Sequence, residues 1–175
     1  MSEGILLAPL DRGTLLPESE RLARLEAALP QIGAAVAGES DAVAVMATLA
    51  CLFWQTLVQT NWCGFYRRVG ERELAVGPYQ GNMGCLRIPF DKGVCGACAR
   101  DEILQLVPDT QAFPGHIACD EATRSELVLP IFDSSGRLRG VFDLDCPNLN
   151  GFSQAEAERL QGFLNQVFKP LSSWD

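Results

Sequence analysis

Thiols and carboxylates are the side chains in this sequence whose types and spacing could carry out chemistry together. The chain has seven cysteines and one histidine among 175 residues. Four of the cysteines lie between residues 84 and 124, a segment rich in turn signals: Cys85, Cys95, Cys98 and Cys119. Because loops on a rigid scaffold often hold functional groups and accessible thiols are nucleophiles, this segment points to redox or nucleophilic chemistry.

Cys119 has the surroundings most typical of a nucleophile. It follows a Pro114-Gly115 turn, and His116 and Arg124 lie close to it in the sequence. Either of these side chains, or a helix N-terminus, could lower the pKa of a nearby thiol. Inert burial is the alternative reading for a cysteine of this kind.

Cys95 and Cys98 form a C-x-x-C pair with no second pair elsewhere in the sequence. A structural zinc site would therefore have to recruit the scattered Cys85 and Cys119, so we expect no metal. A thioredoxin-type redox pair is also not favoured, because no βαβ pattern precedes the motif.

Three carboxylates are predicted to share one face of a sheet. Residues two apart in a strand point the same way, so Asp143 and Asp145 lie on one face. If residues 134–135 form a two-residue turn, the register places Glu126 opposite Asp143. Like charges opposed in this way repel, as expected where a cation binds or where a carboxyl with a raised pKa acts as a general acid. A solvated polar face is the alternative.

Two aromatic residues are predicted to flank a gap on the first strand. Trp62, Gly64 and Tyr66 share a face, and the glycine would leave a slot with a backbone floor between the two rings. Such a slot could hold a small apolar or cationic group, whereas aromatic residues of a core are the commoner case. Cys51 and Cys63 are predicted to be inert packing residues.

The remaining pattern supplies the elements that must position these groups. An amphipathic helix is predicted at 17–29, where Pro30 stops or kinks it, and an apolar helix runs from an Asp41 cap to about residue 59. Ser153 and Glu156 form a capping box that opens the last helix. A short helix is predicted at 94–100, and strands at 62–69, 71–76, 85–90, 103–107, 126–132 and 138–145. This order predicts an α+β domain whose central antiparallel sheet carries helices on one face and ligand-binding loops on the other.

Composition narrows the class of protein further. Apolar residues make up 47% and charged residues 21%, which is typical of a globular domain with a substantial core. A net charge of −8 argues against nucleic acid or an anionic membrane as partner. The odd number of cysteines and the lack of a basic leader make a reducing cytoplasm the expected location. The uncharged stretch 42–66 is interpreted as a buried helix followed by a strand.

Seven short motifs, in order, resemble those of the free methionine-(R)-sulfoxide reductases. They are Asn61-Trp-Cys-Gly-Phe-Tyr66, Pro78-Tyr-Gln-Gly81, Cys85-x-Arg-Ile-Pro89, Gly93-Val-Cys-Gly96, Gly115-His-Ile-Ala-Cys-Asp120, Ser125-Glu-Leu-Val-Leu-Pro130 and Asp143-Leu-Asp145. Members of this family are single-domain GAF-fold enzymes that reduce free methionine sulfoxide, rather than methionine sulfoxide within a protein chain, to methionine. The resemblance covers residues 40 to 168, which suggests a helical extension at 1–39 and a GAF-like catalytic domain at 40–175.

The resemblance also implies roles for particular residues. Cys119 would be the nucleophile, Cys85 the resolving thiol, and Cys95 a third thiol whose role is either auxiliary or nucleophilic. Trp62 and Tyr66 would hold the methyl sulfoxide end of free methionine sulfoxide. The substrate's ammonium group and its sulfoxide oxygen would face three acids, Glu126, Asp143 and Asp145.

The implied reaction needs no bound cofactor. Thioredoxin or another dithiol would act as external reductant. The N-terminal helix would either flank the domain or form the contact of a homodimer. A GAF module that senses a small molecule or redox state without turnover is the alternative, because fold does not determine function.

Overall fold

The computed structural model describes residues 10–115 and 121–174. Cys119 and its neighbour His116 therefore lie outside the described residues. The four helices are α1 Glu18–Ala35, α2 Ala42–Thr56, α3 Gly93–Asp101 and α4 Gln154–Phe168. The six strands are β1 Trp62–Arg68, β2 Glu73–Gly81, β3 Arg87–Pro89, β4 Gln105–Val107, β5 Ser125–Phe132 and β6 Leu138–Cys146.

The strands form one antiparallel sheet in the order β3-β2-β1-β6-β5-β4, which confirms the predicted α+β class. The two faces of the sheet are covered differently, as the period-two pattern requires. Phe65, Phe142 and Leu144 point to the face covered by α1, α2 and α4, where they join the larger hydrophobic core. Tyr66 and Val141 point to the opposite face, which α3 covers in part.

Helix α2 accounts for most of the uncharged stretch. Asp41 caps it by accepting hydrogen bonds from the amides of Val43 and Ala44 at 2.7 and 3.2 Å. The helix ends at Thr56, three residues earlier than predicted. It packs on the sheet through Leu49 and Phe53, which are fully buried. In the part of the chain that the structure describes, no helix combines the length and apolar character needed to cross a bilayer.

Pro30 was predicted to stop or kink helix α1, and the helix does not stop there but continues to Ala35. Proline removes one backbone donor, but Leu25 before it and Ile32 after it are both completely buried in the same core. Burial of this face outweighs the lost hydrogen bond. Arg21 of α1 also forms a buried ion pair with Glu156 of α4, with an N–O distance of 2.9 Å.

The β5–β6 hairpin has a different register from the predicted one. Asp133 and Arg137 close a three-residue turn through a hydrogen bond of 3.1 Å, and Gly136 adopts a φ of 81° within it. The register then shifts again between Ile131 and Phe132. Glu126 consequently pairs with Asp145, and Asp143 pairs with Val128.

Candidate active site

Three neighbouring strands bring the predicted binding residues to one face of the sheet. Asp145 lies on β6 between its two partners, Trp62 of β1 and Glu126 of β5. Asp143, two residues earlier on β6, pairs with Gly64 and so shares this face. The three acids therefore cluster as predicted in spite of the different register. The directly opposed pair is Glu126 and Asp145, whereas Glu126 and Asp143 were predicted.

Two of the three acids are buried. Glu126 is 6% exposed and Asp143 is 5% exposed, whereas Asp145 is half-buried. Desolvation raises the pKa of Glu126 well above its ordinary value, and the charges of Asp143 and Asp145 raise it further. Desolvation likewise raises the pKa of Asp143 to about 7. At neutral pH this pair therefore retains protons and can act as a proton donor.

Helix α3 places Cys95 against the two buried acids. Ligand atoms of Cys95, Glu126 and Asp143 all lie within 4.8 Å of one another. Desolvation, and then the nearby carboxylates, raise the pKa of the Cys95 thiol well above its ordinary value. The thiol is therefore protonated and donates toward Glu126 Oε1, at an S–O distance of 4.0 Å.

The same three groups form the place in the described structure where a cation would be held. One oxygen of the Asp143 carboxyl, Oδ1, is buried and has no hydrogen-bond partner among the described residues. Carboxylates and a thiol can ligate a metal, and carboxylates can equally accept hydrogen bonds from an ammonium group. The site is thus suited to a positively charged ligand group.

Close backbone packing fixes α3 in this position. A Cβ atom at Gly96 would lie 2.6 Å from the carbonyl oxygen of Pro89, so only glycine allows the helix to approach β3 so closely. Gly93, with a φ of 62°, opens the helix and donates a hydrogen bond of 3.1 Å to the carbonyl of Gly115. The helix that carries Cys95 is thus hydrogen-bonded to Gly115, the last described residue before position 116.

The aromatic residues do not form the predicted slot. Trp62 and Tyr66 stack on each other at a centroid distance of 5.5 Å, and Tyr79 stacks on Trp62 at 5.1 Å. Tyr79 pairs with Gly64, where a Cβ atom would lie 2.2 Å from that of Tyr79. Gly64 therefore admits Tyr79 of β2 rather than a ligand, and the three rings form a continuous aromatic wall beside the acids.

Gly84 brings the loop that carries Cys85 onto this wall. A Cβ atom at Gly84 would lie 2.8 Å from the hydroxyl of Tyr66 and 3.2 Å from the Trp62 ring. Cys85 follows directly, is half-buried, and is disulfide-bonded. Tyr79 belongs to a motif quoted above, but its stacking and the close approach at Gly84 could not be predicted from the sequence, because both depend on which distant rings these residues meet.

The other free thiols among the described residues are Cys51, Cys63, Cys98 and Cys146. Cys98 and Cys63 are fully buried and donate to the carbonyls of Val128 and Ala50 at 3.6 and 3.8 Å. The prediction that Cys51 is a packing residue was wrong, because its side chain is exposed on α2. Apolar character on every side of a helix does not show which side meets the core.

Both ends of the undescribed segment are anchored at the site. Gly115 accepts the hydrogen bond from Gly93 at the start of α3. At the other end, Thr123 receives hydrogen bonds from the side chains of Asn61 and Thr110, at 3.2 and 3.1 Å. Gly115 thus lies beside the start of α3, and Thr123 lies beside Asn61, the residue before β1.

Comparisons with known proteins point to one family. A family model described as a GAF domain matches residues 39–167. A Saccharomyces cerevisiae protein named free methionine-R-sulfoxide reductase is 39% identical over 138 residues, covering 75% of this chain and 77% of its own. The Escherichia coli protein of the same name is 36% identical over 142 residues, covering 81% and 85%.

Solved structures give the same result. The free methionine-R-sulfoxide reductase of Neisseria meningitidis, in complex with its substrate, superposes with a TM-score of 0.79 at 35% identity, covering 91% of this chain and 96% of that one. The reduced form of Staphylococcus aureus fRMsr superposes with a TM-score of 0.80 at 34% identity, covering 91% and 99%.

Proposed function

Because this chain belongs to the free methionine-R-sulfoxide reductase family of GAF-domain proteins, we propose that it reduces free L-methionine-(R)-sulfoxide to L-methionine by thiol chemistry. The observation that carries this proposal is the buried acid pair Glu126 and Asp143, which retains protons beside an aromatic wall on one face of the sheet. Loss of the sulfoxide oxygen requires a proton donor, and this pair can supply one.

The free amino acid fits the groups on this face. The zwitterion carries an ammonium group, for which Asp145 and the unpartnered Oδ1 of Asp143 offer acceptors. The methyl sulfoxide end is apolar on its carbon side, and Trp62 and Tyr66 offer ring surface for it. Placing the methyl group on the wall and the oxygen toward the acids would select one sulfur epimer.

The reaction begins with attack of the Cys119 thiolate on the sulfoxide sulfur. A carboxyl group of the Glu126–Asp143 pair protonates the sulfoxide oxygen as the S–O bond breaks. The oxygen passes to the enzyme, so that methionine leaves and Cys119 becomes a sulfenic acid. The substrate sulfur is reduced by two electrons and the cysteine sulfur is oxidised by two.

Cys85 then resolves this intermediate. Its thiol condenses with the sulfenic acid to form a disulfide and water, and an external dithiol such as thioredoxin reduces the disulfide by exchange. The disulfide-bonded state of Cys85 supports its role as the resolving thiol.

Cys95 serves as a positioning thiol in this scheme. Its raised pKa leaves little thiolate at neutral pH, which disfavours it as the nucleophile. Its hydrogen bond toward Glu126 instead helps to hold the acid in place.

The function is tested by incubating the protein with racemic free methionine sulfoxide and dithiothreitol and following methionine and both epimers by chiral chromatography. We expect methionine to form until the (R) epimer has been consumed, while the amount of the (S) epimer stays unchanged. Absence of methionine, or equal loss of both epimers, would refute the proposal; binding of the substrate without turnover would favour a sensor module.

The cysteine roles are tested by a matched pair of serine variants. Cys119→Ser is expected to abolish turnover, because a hydroxyl cannot replace the thiolate. Cys98→Ser should retain activity within about twofold, because the new hydroxyl can donate to the same Val128 carbonyl. Activity is measured as methionine released, and peptide mapping after one equivalent of substrate identifies the disulfide. An active Cys119→Ser variant would contradict the assignment.

A further inference from the structure

A polar cavity lies at the far end of the sheet from the acids. It has a volume of about 690 Å³ and is formed by the end of β1, the β5–β6 turn, the start of α2 and Trp174. Arg67 lies five residues beyond Trp62 on β1, which places it about 17 Å along the strand at roughly 3.3 Å per residue. This cavity is therefore distinct from the active site, and its volume is typical of small-molecule sites.

The cavity is strongly basic in an acidic protein. Its charged lining residues are four arginines and one glutamate: Arg67, Arg68, Arg137, Arg139 and Glu71. The whole chain has only 14 lysines and arginines and a net charge of −8. Glu71 and an ion pair between Arg139 and Asp133, at 4.0 Å, offset part of this charge, and the remaining excess of cations favours an anion in the cavity.

Two of the arginines have guanidinium groups available for a ligand. Within residues 10–115 and 121–174, the side chains of Arg67 and Arg137 form no hydrogen bond or ion pair. Arg67 is nonetheless half-buried. A guanidinium carries five N–H donors, so a half-buried one without a protein acceptor has donors to offer to a bound anion.

The other two arginines are held in place by contacts within the protein and still line the cavity. Arg68 donates to the carbonyls of Gly70 and Glu71, at 3.1 and 2.9 Å. Arg139 is the additional residue where the β5–β6 register shifts, and its guanidinium lies 5.1 Å from the centroid of the Trp174 ring. The irregular pairing thus directs Arg139 to the same side as Trp174.

We propose that this cavity, hereafter the arginine groove, binds a small organic phosphate such as a nucleoside diphosphate. Arginine forks match the geometry of phosphate oxygens and form charge-assisted hydrogen bonds with them. The flat ring of Trp174 and the exposed Val43 and Val69 provide apolar surface for the organic part of the ligand. The first amides of α2 are already bonded to Asp41 and Ser173, so the arginines supply the recognition.

The proposal is tested by isothermal titration calorimetry of the full chain with ADP, pyrophosphate and adenosine. We expect ADP to bind, pyrophosphate to bind more weakly, and adenosine not to bind. Arg67→Gln and Arg137→Gln should each raise the Kd for ADP about tenfold, the usual size of a charge-assisted hydrogen bond. Arg159→Gln, which removes the same charge from the exposed surface of α4, should leave the Kd unchanged.

Reductase activity with dithiothreitol should be unchanged in all three variants, so binding and turnover are separate readouts. No heat with ADP at millimolar concentration, equal loss of affinity in Arg159→Gln, or binding of adenosine alone would overturn the proposal. An acidic peptide that binds to the groove when ADP does not would also overturn it, in favour of a protein partner.

Discussion

At the scale of single residues, the site depends on carboxyl groups that are costly to bury. Burial favours the neutral forms of Asp143 and Glu126, and the charges of Asp143 and Asp145 favour the neutral form of Glu126 further. The unfavourable free energy of burying these carboxyl groups arises where the proposed reaction needs a proton. Conflict between stability and residue choice is a common property of functional sites.

The pH dependence of stability should reveal this cost. The pKa of Asp143 is about 7 in the folded protein, above the ordinary value of 3.8, so the folded state holds the proton more tightly than the unfolded state. The unfolding free energy should therefore fall as pH rises from about 4 to about 7, by up to about 1.4 kcal/mol per pH unit for this group. Asp143→Asn should flatten this fall and be more stable than the parent at pH 8, as measured by urea unfolding.

Asp133→Asn provides the opposite control. Hydrogen bonds from Ser135 lower the pKa of Asp133, so its contribution to stability is present at neutral pH and is lost as pH falls. Parallel stability curves for Asp143→Asn and the parent between pH 4 and 8 would show that Asp143 does not hold its proton in the folded state.

At the scale of elements, turn length and strand irregularities decide which site residues meet. Parity along β6 placed Asp143 and Asp145 on one face from the sequence alone, because side-chain alternation is a local property. The partner of each acid could not be predicted, because it depends on the turn at Gly136 and on the shift at Phe132. Neither the length of this turn nor the position of the register shift can be predicted from the hydrophobic pattern.

The loop before Cys85 is predicted to tolerate no side chain at Gly84. In Gly84→Ala, the new methyl group would meet the Tyr66 hydroxyl and the Trp62 ring, and the loop would have to move away from the aromatic wall. We expect kcat/KM to fall about tenfold to a hundredfold, because small misplacements of reacting groups are costly. Steady-state kinetics with the free sulfoxide measures this change.

Gly162→Ala is the matched control for this variant. Gly162 lies in α4 with open space around it, so alanine there should leave activity unchanged and add about 0.5–1 kcal/mol to the unfolding free energy. If Gly84→Ala is as active as Gly162→Ala, the loop does not need its close approach to the rings.

The two ion pairs between α1 and α4 should contribute very differently to stability. Arg21 and Glu156 are buried, with side-chain exposures of 8% and 1%, whereas Arg159 and Glu26 are exposed. Arg21→Ala leaves a buried carboxylate without its cation and should lower the unfolding free energy by about 3–5 kcal/mol. Arg159→Ala should change it by less than about 1 kcal/mol. Equal effects in denaturant unfolding would contradict this distinction.

At the scale of the whole molecule, the fold class was predictable because several local signals agreed. The capping box at Ser153 and Glu156 and the alternation along β5 and β6 each specified an element, and the structure contains all of them. The helix continues through Pro30 because stabilising contacts of α1 come from distant residues such as Phe163 on α4. Intrinsic helix propensity is overridden by tertiary packing in this way.

Removal of residues 1–39 tests whether they form a separable extension. Leu25, Ala28 and Ile32 of α1 are completely buried in the main core, so a chain of residues 40–175 would expose the surface beneath them. We expect this chain to lose cooperative thermal unfolding or to aggregate, as measured by near-ultraviolet circular dichroism and size-exclusion chromatography. A compact chain with a sharp transition would instead establish residues 1–39 as an independent extension.

The three tryptophans stand in three different electronic environments. Trp62 is stacked between Tyr66 and Tyr79, Trp54 lies 3.8 Å beneath the Arg12 guanidinium, and Trp174 faces Arg139. Stacked rings couple their optical transitions, whereas a cation over an indole shifts its emission. The protein thus carries a separate optical reporter at the candidate active site, beside Arg12 and at the arginine groove, and ligand binding at the candidate site and at the groove can be followed without an added label.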